Sequence, residues 1–285
     1  MSRKIGRLGI WSMELRFGDK AQAADAAAEL DSLGYGALWV PGGIGGDITG
    51  DLDHLLAATS RTTIATGILN VWKHEAADVA AWFAALPPDR RQRVLLGLGV
   101  SHSHIIGESY GKPLTVMRNY LDALAAAGMS SDHLCLAALG PKMLELARNR
   151  TAGAHPYLIT PDHTAAARAA MGPDALLAPE QGVVLESDPA KGREIARGAL
   201  ASYATYPNYR NSWARLGFGE DEIDGLSDRL VDALIVWGSA EKIAERVQAH
   251  HDAGADHVCL QLITGKGLDV SAALPGWREL AGIAG

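Results

Sequence analysis

The residues best placed to do chemistry lie at the ends of short apolar runs, and few of them are acids or bases. The run Leu134–Ala137 leads to Gly140, and Pro141 then opens an amphipathic pattern that continues to Arg150. Glycine followed by proline at a helix start leaves backbone N–H groups with no side chain in front of them, and unpaired amides and the helix dipole both favour an anion. A phosphate fits such a cup, although the same pair also opens ordinary helices. Gly97-Leu98-Gly99-Val100-Ser101-His102 begins like a dinucleotide fingerprint and fails at its third glycine, where His102 stands. His102 and His104 form a His-x-His pair without further ligands, which reads as one contact residue and one exposed residue rather than a metal site. Gly67-Ile68 lies inside an apolar run, where glycine marks a bulge, a close backbone approach or a packing position.

The elements that must carry these residues repeat along the chain. Eight apolar runs are expected as strands: Leu8–Trp11, Ala37–Val40, Thr63–Asn70, Val94–Val100, Leu134–Ala137, Tyr157–Ile159, Gly182–Leu185 and Val258–Ile263. Most are followed by a helical pattern. The runs are unbroken rather than alternating, as in parallel strands covered by helices on both faces. Eight such units in 285 residues predict an α/β fold, a single (β/α)8 TIM barrel over 1–285, with an open doubly wound sheet as the alternative. One insertion, about 204–229, breaks the rhythm with Tyr206-Pro207-Asn208-Tyr209-Arg210-Asn211 and Trp213. It is expected to cover a site, form a subunit contact or simply pack on the barrel.

In a barrel the strand carboxyl ends gather function. Here they supply Trp11, Ser12, Pro41, Gly42, Gly43, Gly67, Ile68, Asn70, Ser101, His102, Leu139, Gly140, Pro141, Tyr157, Glu180, Gln181 and Gln261. A rim rich in glycine, amides and apolar groups suits a large planar cofactor that carries the chemistry itself. It suits metal hydrolysis or two-carboxylate chemistry poorly. The net charge of −7, with no basic stretch, argues against nucleic acid or an anionic membrane as partner. Cys135 and Cys259 both fall in expected buried strands and read as core residues of a reducing, cytoplasmic compartment. No signal-peptide pattern and no transmembrane run is expected.

Taken in order and spacing, several segments resemble one family. They are Leu8-Gly9-Ile10-Trp11-Ser12, Ala37-Leu38-Trp39-Val40-Pro41, Ala65 to Trp72, Leu96 to His102, Gly140-Pro141-Lys142, Ala152 to Tyr157, Leu177 to Gln181 and Ala253 to Val258. The chain resembles the bacterial-luciferase-like superfamily, and within it the oxidoreductases that use a deazaflavin, coenzyme F-420. The resemblance implies a non-prolyl cis peptide at Gly67-Ile68 behind the deazaflavin ring. It implies phosphate contacts at Leu139, Gly140 and Pro141, and further contacts at Val100, Ser101 and His102. With the rim, this gives cofactor contacts at Gly67, Ile68, Asn70, Val100, Ser101, Leu139, Gly140, Pro141 and Gln181. The ring is expected between Gly67-Ile68 and a Glu180-Gln181 turn.

One departure stands out. Members of that family that oxidise a phosphosugar carry Asp-His after the second strand, with the histidine as base, and Pro41-Gly42 occupy those places here. Catalysis is therefore expected from His102 or Glu180, and reduction of an activated double bond or carbonyl asks least of them. Trp11, Trp72 and Tyr157, with the aromatic insertion, point to an apolar or planar small-molecule substrate. The competing readings are a monooxygenase of the same fold using FMN and oxygen, and a non-catalytic cofactor-binding relative. The family also implies a homodimer.

Overall fold

Strands that are apolar on both faces demand a sheet covered on both faces. The computed structural model describes residues 4–43, 45–102, 106–107 and 110–284. Among these, ten parallel strands form one curled sheet: β1 (Leu8–Trp11), β2 (Ala37–Gly42), β3 (Thr63–Asn70), β4 (Val94–Gly99), β5 (Leu134–Leu136), β6 (Gly153–Ala154), β7 (Leu176–Leu177), β8 (Glu180–Val184), β9 (Ile235–Trp237) and β10 (Val258–Leu262). Their order is β7-β6-β5-β4-β3-β2-β1-β10-β8-β9.

The α/β architecture is the expected one; the count of eight is not. The seventh run, expected at Gly182–Leu185, falls in β8, and an additional short strand, β7, precedes it across Ala178 and Pro179. Proline has no N–H to offer a ladder, yet hydrogen bonding continues around it on both edges. Ala178 N–H donates to the Ala154 carbonyl at 2.9 Å, and Cys259 N–H donates to the Pro179 carbonyl at 3.0 Å. The sixth run is also displaced. The strand is Gly153–Ala154, and Tyr157 to Ile159 lie in the loop behind it, with Leu158 at φ 52°. An apolar run of three residues does not distinguish a strand from a buried loop. The strand β9, which no expected run covers, follows the aromatic insertion and pairs with β8.

Strand alternation sorts the side chains into two layers. Leu38, Val40, Leu96, Leu134, Leu136, Val258 and Leu260 face the helices. Ala37, Trp39, Ala65, Leu95, Cys135, Leu176 and Cys259 fill the inside of the curl. The helices answer with apolar stripes. In Lys20–Ser32 the buried residues include Ala23, Ala26, Ala27 and Leu30, one face of a 3.6-residue period, and Asp19 caps that helix by accepting from Gln22 N–H.

Two irregularities shape the mouth of the sheet. The β2–β3 register shifts between Val40 and Gly42, and the β3–β4 register shifts between Thr66 and Leu69. The second is the bulge expected at Gly67-Ile68, and the Gly67–Ile68 peptide is cis, as expected.

Candidate active site

Glycine at position 67 has a local cause. A Cβ there would sit 2.5 Å from Trp11 Nε1 and 2.8 Å from His155 Nε2. Trp11 Nε1 instead donates to the Gly67 carbonyl at 2.8 Å. Beneath this contact the inside of the curl is plugged by Trp39, whose ring stacks on His155 at 4.2 Å between centroids. Trp39 Nε1 donates to His257 Nε2 at 3.1 Å, and His257 Nδ1 donates to the Gly6 carbonyl at 2.9 Å. Both histidines are sealed from water, and burial pulls His155 down to about 4 and His257 to about 3, so both are neutral near pH 7.

Above this floor lie two adjoining cavities, of ≈ 330 and ≈ 260 Å³, which share Ile68, Ser101, His102, Ala137, His155, Tyr157 and Tyr209. The larger runs past Val100, Leu139 and Gly140 to Arg215. The smaller runs past Trp11 and Gly67 to Pro41, Gly43, Tyr203 and Tyr206. The insertion therefore covers the strand ends. Its helix Pro207–Arg215 brings Asn208, Tyr209, Asn211 and Arg215 to the larger cavity.

The Gly140 end has the form of an anion cup. The helix Pro141–Arg150 starts there without a side-chain cap, and a Cβ on Gly140 would meet nothing within 4 Å. Arg215, whose guanidinium donates to the Leu139 carbonyl at 3.0 Å, adds positive charge beside it. These features fit the phosphate of a flavin-type cofactor.

Of the expected site residues, Trp11, Gly67, Ile68, Val100, Ser101, His102, Leu139, Gly140 and Tyr157 line the cavities. His102 stands where they meet; its Nδ1 donates to Asn208 Oδ1 at 3.1 Å, and its ring lies 4.5 Å from that of Tyr206. His104 lies outside the described residues.

Five of the expected residues, Asn70, Trp72, Pro141, Gln181 and Glu180, do not line either cavity. Asn70 is sealed; its Oδ1 accepts from Trp72 N–H at 3.0 Å. Trp72 turns its Nε1 to the Val100 carbonyl at 2.8 Å, supporting the segment that carries Val100 and Ser101 from behind. Pro141 forms the first helical turn behind Gly140. Gln181 faces away from the curl, because strand neighbours alternate sides. Its Nε2 donates to the Leu234 carbonyl at 2.9 Å, and its Oε1 meets His250 Nε2 at 3.0 Å. Glu180 faces inward as the first residue of β8, not in a turn, and lines neither cavity. Leu158 N–H donates to its Oε2 at 3.1 Å, its Oε1 is sealed without a partner, and burial pushes the carboxyl up to about 8.

The residues that the sequence reading missed are His155, Tyr203, Asn208, Tyr209 and Arg215. The aromatic content of the insertion was the available signal for Tyr209, and Tyr203 stands just before it. Nothing in the sequence distinguishes His155, one position before Pro156, from any other buried histidine. At the place of the family's Asp-His pair, Pro41-Gly42, neither residue titrates, and Pro41 lines the smaller cavity with the following Gly43. The loop there is anchored by Arg16, fully buried, which pairs with Asp51 at 2.8 Å and donates to the carbonyls of Pro41 and Gly45.

Comparison with known proteins places this geometry. Residues 10–133 match the family model described as luciferase-like monooxygenase. No curated protein sequence matches the chain. Among solved structures, an F-420-dependent secondary alcohol dehydrogenase bound to an F-420–acetone adduct is 15% identical, with TM-score 0.73, covering 99% of this chain and 100% of that one. The coenzyme F-420-dependent tetrahydromethanopterin reductase of Methanopyrus kandleri is 14% identical, with TM-score 0.74, covering 98% and 99%. The oxygenating constituent of 3,6-diketocamphane monooxygenase from Pseudomonas putida, bound to FMN, is 13% identical, with TM-score 0.66, covering 100% and 97%. At these identities the likeness is one of fold.

Proposed function

We propose that the chain, whose residues 10–133 match the luciferase-like monooxygenase model, is an oxidoreductase that transfers hydride between coenzyme F-420 and a small organic substrate. The observation that carries this reading is the pair of adjoining cavities, with an anion cup at one end and an aromatic chamber at the other. When bound, the deazaflavin supplies or accepts the hydride. The Gly140 backbone and Arg215 would hold its phosphate-bearing tail, and Gly67 and Ile68 would lie against its ring. His102, where the cavities meet, would give a proton to the substrate or orient it. With no base at Pro41-Gly42, reduction of a carbonyl or activated double bond is favoured over oxidation of a sugar alcohol. Glu180, which lines neither cavity, is given no part in this chemistry.

Two F-420-dependent structures stand among the solved relatives with TM-scores of 0.73 and 0.74, against 0.66 for the FMN-bound monooxygenase. The second reading, oxygenation with FMN, rests on the family description and on that FMN complex. Absorbance and fluorescence titration of the purified protein with each cofactor separates them. Saturable F-420 binding with weak or no FMN binding is expected; tight FMN binding without F-420 binding overturns the proposal in favour of the monooxygenase. We read the stretch 176–184 as one barrel strand interrupted at Pro179, which makes the sheet an eight-unit barrel with β9 as an addition. A cytoplasmic homodimer completes the proposal. No helix among the described residues is long and apolar enough to cross a membrane, and a sedimenting species of monomer mass alone, at micromolar concentration, contradicts the dimer.

A further inference from the structure

The smaller cavity carries no lysine, arginine, aspartate or glutamate in its described walls. A carboxylate or phosphate placed there would lose its water without gaining a counter-charge, which is costly. What surrounds the space instead is a set of rings at varied angles. Trp11 and Tyr157 stand 5.7 Å apart at 45°, Tyr203 and Tyr209 5.1 Å apart at 87°, and Tyr203 and Tyr206 5.8 Å apart at 70°. Ring edges and faces arranged in this way complement a flat conjugated system.

The hydroxyls of this chamber are not equivalent. Gln261 Oε1 can only accept, so Tyr157 donates to it at 2.6 Å, and Tyr203 then donates to the Tyr157 oxygen at 3.2 Å. Both protons are spoken for. Tyr209 is 8% exposed and lines both cavities, and its hydroxyl makes no hydrogen bond among the described residues. It is also absent from the unpartnered atoms that are sealed from solvent, so it opens into the cavity space.

We propose that the chamber between Trp11 and the tyrosines of the insertion binds an uncharged, flat, conjugated carbonyl compound, and that the Tyr209 hydroxyl donates a hydrogen bond to its carbonyl oxygen. As a statement about the substrate, this rests on the oxidoreductase reading above; as a statement about binding, it does not need the cofactor. Burial holds the Tyr209 hydroxyl well above its ordinary range, so it remains a donor at every working pH.

The test uses the full-length protein without cofactor and three probes: 2-acetylnaphthalene, 2-ethylnaphthalene and 2-naphthoate. Their affinities are read by calorimetry or by quenching of tryptophan fluorescence. The ketone is expected to bind about tenfold tighter than the hydrocarbon, and at least tenfold tighter than the carboxylate, differences that correspond to one good hydrogen bond and to an unpaired buried charge. Tyr209→Phe should erase the ketone's advantage and leave hydrocarbon binding unchanged, which also shows that the variant is folded. Tyr206→Phe should keep the advantage. Preferred binding of 2-naphthoate, an undiminished ketone advantage in Tyr209→Phe, or no binding of any probe at millimolar concentration overturns the inference. Ketone binding as expected in a protein that does not bind F-420 leaves this site standing and removes only the hydride-transfer reading.

Discussion

The floor of the curl and the chamber above it use the same residue types for opposite ends. On the floor, Trp39 stacks on His155 and is hydrogen-bonded to His257; all three are sealed, and burial holds the two histidines neutral. In the chamber, His102, Tyr203, Tyr206 and Tyr209 meet at looser angles around empty space. The floor's imidazole N–H groups go to backbone carbonyls, with Ala178 accepting from His155 at 2.7 Å and Gly6 accepting from His257. The chamber's histidine leans on Asn208, a side chain of the insertion, at 3.1 Å. A histidine is thus a structural part where its N–H ends on main chain inside a packed layer. It is a candidate for function where that N–H ends on another side chain at a cavity wall.

The comparison breaks or sharpens under substitution. The largest effect is expected from Trp39→Ala, which empties the floor and takes from His257 its indole donor. Urea unfolding should show a loss of about 3–5 kcal/mol, the usual cost of removing a large buried aromatic; a loss below about 1 kcal/mol would show the floor to be dispensable. Gly67→Val comes next. Its side chain would push against Trp11 and His155, so a loss of about 1–3 kcal/mol is expected from overpacking, together with F-420 binding weakened at least tenfold. Unchanged binding would separate the floor from the cofactor site.

Glu180 joins the two regions, and its pH dependence has a definite sign. Its carboxyl lies at about 8 in the fold against 4.5 for the free group, so between those values the folded chain binds the proton more tightly than the unfolded one. Stability conferred by the neutral acid is therefore fully present below about 4.5 and is lost as pH rises through 8, with a slope of at most about 1.4 kcal/mol per pH unit. Glu180→Gln should flatten this fall in denaturant midpoint between pH 5 and 8; an equal slope in the variant assigns the pH dependence elsewhere. The smallest effect on stability, within about 0.5 kcal/mol, is expected from His102→Ala at the cavity wall. Turnover of a conjugated ketone with reduced F-420 should nevertheless fall about 10²-fold, as for loss of a general acid, with F-420 affinity nearly intact. Loss of affinity and turnover together would assign His102 to cofactor binding, and no change in either would remove it from the site.

The amino-acid sequence by itself determined the covered parallel sheet, because both strand faces are apolar. It determined the Gly140 cup, because Gly-Pro at a helix start is a local pattern, and it marked the bulge at Gly67, because a glycine inside a strand run is conspicuous. These are properties of a few neighbouring residues. What only the tertiary structure decided depends on which way a side chain turns and what meets it from far along the chain. Glu180 and Gln181 read alike in the sequence, yet one register step sends Gln181 outward to His250 and Glu180 inward to Leu158. Trp72 reads as a wall of the site and turns out to brace Val100 from behind. The chamber itself is made where Tyr209 meets the walls that Trp11 and His102 supply, a meeting across long sequence separation that no local pattern encodes.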